Sequence, residues 1–328
     1  MLNYKVIRIL TWLIALALAA WLIRDLPFDT IFKTISHLTS AQWFYWLSIN
    51  LVIILIFVWR WLVLTLGLEL KLHFFNLLLL RQAGQSISFI TPGPQFGGEP
   101  LQIFLLWKRY LISPSNSVLA VTADRIFELW TNFSVLLFGI IILFFTQAEL
   151  ADWLSIALLI GLLILVLSLS TWLVINRSEA LGISINKFAQ KWLGSKRLSE
   201  ANFYSNDITD SLKLLLANKP ALYSAMLLSL SGWLLTFFEL YLVLSFFNLN
   251  LDISSFVLLL VAMRLAFLLP LPGGIGTLEA AVFWSFTALA LPIASAAALL
   301  ALIRFRDILV LGAGFICLRL LQSKTVSI

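Results

Sequence analysis

Six predominantly apolar runs, each long enough to cross a bilayer, constrain the fold of this chain more than any other feature. They lie at about 6–23, 42–67, 117–147, 152–175, 221–247 and 294–320. A transmembrane helix needs roughly 20 such residues. A soluble domain has about 25% charged residues, whereas this chain has 12%. The runs lack the polar–apolar alternation of membrane barrel strands. The sequence therefore predicts an all-α polytopic membrane protein.

Basic residues in the loops predict the orientation. The segment at about 176–219 has seven Lys or Arg residues and is too charged to span. We expect it to lie on the cytoplasmic membrane surface, with a solvated linker as the alternative. Lys5 and Arg8 place the N-terminus on the same side, before an uncleaved first helix rather than a signal peptide. Arg24 and Lys33 fit less well, since they fall in the first outer loop. Both termini are predicted to be cytoplasmic. The net charge of +6 says little about nucleic acid, because the basic residues gather in a few loops, and no nucleic-acid partner is expected.

Two further pairs of apolar stretches are short and separated by proline and glycine. They lie at about 73–90 and 99–111, and at about 254–269 and 277–290. Broken backbone inside a membrane is tolerated only where protein buries it or where it lines a wet cavity. We predict six full spans plus two re-entrant helical hairpins from opposite sides, with eight or ten simple spans as the alternative. The predicted break residues are Pro92, Gly93, Gly97, Gly98, Pro272, Gly273, Gly274 and Gly276.

The two breaks share one spaced pattern of charge. Each copy reads proline, glutamate seven residues later, arginine 25 or 26 residues further, and an acid three residues after that. The first copy is Pro92, Glu99, Arg125 and Glu128, and the second is Pro272, Glu279, Arg304 and Asp307. The predicted topology puts the copies in opposite orientation, a pattern typical of transporters. We interpret them as an inverted internal repeat, at about 73–147 and 254–320, within a single transmembrane domain covering 1–328.

Charged residues inside apolar runs are the candidate binding residues, because a charge at the bilayer centre costs roughly 2.5–3.5 kcal/mol. Two interpretations stay open: local ion pairs that fix helix packing, or a cavity whose arginines bind phosphate. The glutamates after the breaks could cap a turn, hold an arginine or carry a proton. For Arg81 and Arg264, snorkelling to the membrane surface is the alternative. The candidates are Arg125, Arg304, Arg264, Glu99, Glu279, Glu128, Asp307, Glu239 and Arg81.

Motifs of known catalytic chemistry are not found in the sequence. It contains no P-loop, GxSxG, HExxH or DxD-like motif, and its serines and threonines have no histidine partner. His37 and His73 lack ligand partners, so no metal site is predicted. No cofactor is expected, while coupling to a proton or another ion stays open. Arg60, between Trp59 and Trp61, is predicted to snorkel.

Four stretches resemble a known family: PGPQFGGEPLQ (92–102), ADRIFELW (123–130), LPLPGGIGTLEAAV (269–282) and RFRDILV (304–310). They resemble the flippase-like transmembrane domain of lysylphosphatidylglycerol synthases. Pro94 and Gln95 depart from the plainer glycine-rich first motif. The resemblance implies a prokaryotic cytoplasmic (inner) membrane and the movement of a lipid between leaflets. Since the sequence ends at Ile328 with no soluble domain, we do not expect aminoacyl transfer.

Three functions remain open on the sequence alone. The favoured one is a lipid translocase whose polar cavity, between the hairpins, takes a charged or phosphate-bearing headgroup. Arg125, Arg304 and Arg264 would then contact the phosphate, and Glu99 and Glu279 would gate or carry a proton. The second is a membrane enzyme acting on a lipid-linked substrate, with one of these glutamates as general base. The third is a non-catalytic scaffold for a separately encoded lipid-modifying synthase. The resemblance names no single lipid, since family members have been linked to charged phospholipids, hopanoids and polyprenyl-linked sugars.

Overall fold

The structure, a computed structural model, describes residues 36, 38–91, 97–146, 149, 153–176, 210–269 and 271–323. Within these ranges the regular elements are all helices, as the composition predicts. The longer helices are α1 (Ser40–Gly67), α2 (Phe74–Ile90), α3 (Glu99–Tyr110), α4 (Pro114–Thr146), α5 (Trp153–Asn176), α6 (Lys219–Phe246), α7 (Ile253–Ala266), α8 (Thr277–Ala288) and α9 (Ile293–Ser323). A short 3-10 helix covers Pro272–Gly274.

Side-chain caps set the start of several helices. Thr39 accepts from the backbone N–H of Gln42, whose side chain accepts from Thr39 in return, and this capping box starts α1. Asn218 accepts from Ala221 N at the start of α6, and Asp252 from Ser254 N at the start of α7. These polar residues stand immediately before apolar runs, so the helix starts are encoded locally.

Five of the six predicted spans coincide with a helix. α1, α4, α5, α6 and α9 begin and end within three residues of the predicted bounds. Of these, α1, α4 and α6 are long and apolar enough to cross a membrane by length and composition. The run at 6–23, with Lys5 and Arg8 before it, lies outside the described residues. The number of spans stays a prediction.

The two interrupted stretches each form a pair of short helices. α2 and α3 have 17 and 12 residues, and α7 and α8 have 14 and 12. The two members of each pair pack against each other. Most of the predicted surface segment, 177–209, lies outside the described residues. Its end at 210–217 is helical and buries Leu212 and Leu215.

α1 and α6 form the central pair of the molecule and run antiparallel. Near the start of α1, Trp46 bonds Glu239 late in α6. Near the end of α1, Arg60 bonds Ser229, and a Cβ on Gly67 would lie 3.0 Å from Ala221 Cβ. Buried residues form one core around Trp61 at one end of this pair and a second around Trp46 at the other.

Each short-helix pair packs against the long helix that follows the other pair. α2 lies against α9, and α7 lies against α4. Both crossings occur at glycine: a Cβ on Gly314 of α9 would be 2.5 Å from the Gln82 carbonyl oxygen. A Cβ on Gly139 of α4 would be 2.6 Å from a Val261 methyl group. Each short-helix pair is therefore held against the long helix that follows the other pair by a close contact at a glycine.

Candidate functional site

The second break is a glycine turn between α7 and α8. Gly273, Gly274 and Gly276 have φ values of 58, 61 and 86°, in the left-handed region that side chains disfavour. α8 then begins at Thr277, and the Glu279 carboxylate accepts a 2.7 Å bond from Gly276 N. A carboxylate at this place also suits the positive end of the helix dipole. Glu279 therefore caps the turn that the glycines create.

Arg304, on α9, holds this break from the side. Its Nε and Nη2 lie 2.7 and 2.6 Å from Glu279 Oε1. Its Nη1 donates to the carbonyl of Gly273 at 3.0 Å, and its Nη2 to that of Gly274 at 3.2 Å. The remaining contact is from Nη1 to Asp307 at 3.1 Å. Four hydrogen bonds and a further close ion-pair contact thus surround the Arg304 guanidinium.

The first break is held in the same way. Glu99 accepts from Gly97 N at 2.8 Å, and Gly97 has a φ of 141°. Arg125 of α4 donates from Nε to Glu99 Oε1 at 2.7 Å and from Nη2 to the same oxygen. Its Nη1 donates to Glu128 at 2.8 Å. Gly98 packs so closely that a Cβ there would be 2.0 Å from the Gly84 carbonyl oxygen.

The spacing of the sequence thus led to two equivalent clamps, each made of a glutamate, an arginine and a second acid. Two of the roles offered for the glutamates, capping a turn and holding an arginine, occur together in both. Pro92 and Gly93, with Pro94 and Gln95, lie outside the described residues, so the first turn is compared from Gly97 onward. Whether the arginines also contact a substrate stays a prediction.

Two more arginines extend the first clamp. Arg60, on α1, is fully buried and donates from Nε to Asp124 Oδ1 at 2.8 Å. Arg81, on α2, donates to Asp124 Oδ2 at 2.6 Å, and both arginines lie 3.5 Å from Glu128. With the Arg125–Glu99 pair, three arginines face three carboxylates, and the cluster is neutral.

The prediction that Arg60 snorkels to the membrane surface was wrong. Asp124 lies directly before Arg125 on α4 and faces α1, where it supplies a buried partner. Removing either charge would strand the other, which is costly in a low-dielectric interior. The sequence feature that could have indicated this ion pair was Arg60 near the end of one long apolar run together with Asp124 inside another.

The acids and arginines near the second clamp are more loosely paired. Glu239 of α6 accepts from Trp46 Nε1 at 2.9 Å and from Asn50 Nδ2 at 3.4 Å. Arg306 of α9 lies 3.8 Å from Glu239 and 3.7 Å from Asp307. Sequence reasoning missed Arg306, although its charge within an apolar helix was a usable signal.

A small cavity of about 60 Å³ lies between α6, α7 and α9. Its polar lining comes from Trp46, Thr236, Glu239, Arg264 and Arg306, and the remaining lining is apolar. One water needs roughly 10–15 Å³ by this measure. The cavity as it stands therefore holds a few waters rather than a lipid headgroup. It nevertheless places Arg264 and Glu239, two of the predicted binding residues, in the same lining.

Arg264 stands out in this lining. Its guanidinium carbon lies 4.5 Å from the centre of the Trp233 ring, a cation–π contact. No carboxylate of the described residues lies within ion-pairing distance of it. Nor do the described residues contain a group of three or more His, Cys, Asp or Glu placed to hold a metal. The charged part of the cavity wall thus consists of Arg264, Arg306 and Glu239.

Sequence comparisons bear on the same residues. The sequence model of the lysylphosphatidylglycerol synthase TM region matches residues 8–314. A UPF0104 membrane protein of Methanothermobacter thermautotrophicus is 26% identical over 243 residues, which are 70% of this chain and 69% of the relative. The family match spans both helix breaks, both clamps and the cavity.

Proposed function

The chain belongs to the lysylphosphatidylglycerol synthase TM region family and is a multi-pass helical membrane protein, and we propose that it moves a phosphate-bearing lipid between leaflets. We place it in the cytoplasmic membrane of a prokaryote, with both termini on the cytoplasmic side. The lipid headgroup crosses between two re-entrant hairpins, and the small polar cavity among α6, α7 and α9 lies beside the second of them.

The observation that carries the proposal is the pair of matching clamps at two broken helices. A broken helix inside a membrane leaves backbone groups that protein or water must satisfy. Here Arg304 bonds two carbonyls of the second break, and Glu99 and Glu279 each accept a backbone N–H. Two such breaks in opposed halves are typical of membrane transporters. The antiparallel α1–α6 pair supports an inverted relation between the halves.

The clamps suggest which parts move together. Arg304 ties the second break to α9, and Arg125 ties the start of α3 to α4. We propose that each break moves with its long helix, and that translocation is a rocking of these two units. The phosphate contact first expected of Arg125 and Arg304 is less favoured, because Arg304 already donates to Glu279, Asp307 and two backbone carbonyls. The sequence carries no ATP-binding motif, so we propose an ion-coupled or passive process.

Leaflet exchange in liposomes tests the proposal. The purified protein is reconstituted with fluorescent phospholipids, and dithionite-accessible signal is followed with and without a pH gradient. We expect exchange above protein-free liposomes and its loss in Glu279→Gln and Arg304→Ala. Arg319→Ala, which removes an exposed charge from α9, is the matched control and should exchange normally.

Two outcomes would contradict translocation. Failure of folded wild-type protein to exchange lipids of any headgroup would favour the scaffold or the enzyme. Co-purification of a synthase, together with tolerance of both substitutions, would point to the scaffold. A new lipid product by mass spectrometry, lost in Glu99→Gln, would point to the enzyme.

A further inference from the structure

The absence of an acid beside Arg264 follows from one difference between the two halves. The residue directly before the clamp arginine is Asp124 in the first half and Ile303 in the second. Asp124 neutralises Arg81, which stands in the helix before the first break. Ile303 instead lines the cavity together with Arg264, which stands in the helix before the second break. The second half thus keeps the arginine and lacks the acid that would pair with it.

The surroundings of Arg264 favour an anion. The cavity lining carries two guanidinium groups, Arg264 and Arg306, and one carboxylate, Glu239. That carboxylate already accepts from Trp46 and Asn50, and it lies 3.8 Å from Arg306. Arg306 also faces Asp307 at 3.7 Å, so Arg264 is the guanidinium of this lining that has no ion-pair partner among the described residues. A guanidinium in an apolar setting binds a phosphate through paired, charge-assisted hydrogen bonds.

We propose that Arg264 binds the phosphate of the transported lipid in this cavity, with Arg306 as a second donor. The apolar part of the wall, which includes Leu260, Phe267 and Leu299, contacts the adjoining part of the lipid. A phosphodiester, with its single charge, matches the one guanidinium of the lining that has no ion-pair partner among the described residues. The cavity must widen to admit the headgroup. This assignment rests on the proposed function, and it leaves Arg125 and Arg304 to hold the breaks.

Direct binding measurements test the assignment. The full chain in detergent is titrated with phosphatidylglycerol, with diacylglycerol of the same chains and with inorganic phosphate, and binding is followed by native mass spectrometry. Wild-type protein should bind phosphatidylglycerol and only weakly bind diacylglycerol, which lacks the phosphate. Arg264→Gln should weaken phosphatidylglycerol binding roughly 10- to 100-fold. Arg319→Gln, which also removes one positive charge, should bind as the wild type does.

A second variant supplies the acid that the second half lacks. Ile303→Asp places a carboxylate on the wall that Arg264 shares, as Asp124 does for Arg81. We expect it to abolish phosphatidylglycerol binding, whereas Ile303→Asn, of the same size and uncharged, should keep most of it. Thermal unfolding of each variant verifies that it is folded.

Several results would overturn the assignment. These are wild-type affinity in folded Arg264→Gln, equal binding of diacylglycerol, absence of phosphatidylglycerol binding by the wild type, or equal binding by Ile303→Asp and Ile303→Asn. Tight binding of inorganic phosphate that the lipid does not displace would assign the site to free phosphate instead. Normal leaflet exchange in Arg264→Gln would remove the role of Arg264 and leave translocation intact. If binding depends on Arg264 but the wild-type protein exchanges no lipid, the lipid-binding role of Arg264 would stand and translocation would fall.

Discussion

Around the first break, Asp124 lies 2.8 Å from Arg60 and 2.6 Å from Arg81. Around the second break, Arg264 lies on the face of Trp233 and has no ion-pair partner among the described residues, while Arg306 stands 3.8 Å from Glu239 and 3.7 Å from Asp307. Both halves nevertheless clamp their breaks with the same glutamate–arginine pair. The comparison separates two settings of buried charge: a glutamate caps the turn at both breaks, whereas Arg264 has no ion-pair partner among the described residues, and we propose that it binds a ligand.

The largest loss of stability is expected when Asp124, the acid that Arg60 and Arg81 share, is removed. Asp124→Ala leaves Arg60 fully buried without its closest partner and weakens the hold on Arg81. Removing one member of a buried ion pair costs about 3–5 kcal/mol, so the variant should unfold at a clearly lower temperature in detergent. Asp252→Asn, an exposed helix cap, is the control. An unchanged unfolding temperature for Asp124→Ala would mean that the cluster does not stabilise the first half.

The two clamps should lose a similar amount of stability when the glutamate charge is removed, and this tests how alike they are. Glu99→Gln and Glu279→Gln keep an acceptor for the capped N–H but remove the charge facing Arg125 or Arg304. A hydrogen bond to a charged group contributes about 1.5–3 kcal/mol, and both variants should lose a similar amount of stability. Unfolding of the two proteins under the same conditions provides the measurement. A loss confined to one variant would show that the two clamps are not equivalent.

The two helix crossings at glycine should differ slightly in the stability lost when a Cβ is added. Overpacking costs typically about 1–3 kcal/mol, and both Gly314→Ala and Gly139→Ala should destabilise. The larger loss is expected for Gly314→Ala, since its Cβ would meet a carbonyl oxygen of α2, whereas Val261 can change rotamer. Gly161→Ala and Gly312→Ala, where a Cβ meets nothing within 4 Å, are the controls. Equal stability of all four variants would contradict these close contacts.

The smallest stability effect is expected where a ligand is proposed to act. Arg264→Gln removes a cation–π contact of about 0.5–2 kcal/mol, but it also removes a charge without an ion-pair partner. We expect a net change of less than about 1 kcal/mol, in contrast to a larger loss for Arg81→Gln, which strips Asp124 of a partner. Thermal unfolding without added lipid compares the two. A greater loss for Arg264→Gln would mean that this arginine is structural.

Much of the architecture could be predicted from the sequence because it is encoded locally. Apolar length and capping residues fixed the helices, and glycine and proline marked the breaks. The shared spacing brought Glu99 to Arg125 and Glu279 to Arg304. The pairing of Arg60 with Asp124 and the position of Arg306 beside Glu239 could not be predicted in this way. They depend on how α1 lies against α4 and how α6 faces α9, which is set by lateral packing and leaves no periodic signal.

The second clamp also has a consequence for biosynthesis. Glu279 stands on α8, and its partner Arg304 follows 25 residues later on α9. A chain that enters the membrane from its N-terminus therefore inserts Glu279 before the cation that neutralises it has been synthesised. The first clamp has the same order, since Glu99 precedes Arg125 by 26 residues. Each break is therefore neutralised only once its long helix has followed the short-helix pair into the bilayer, and the packing of α2 against α9 is completed last.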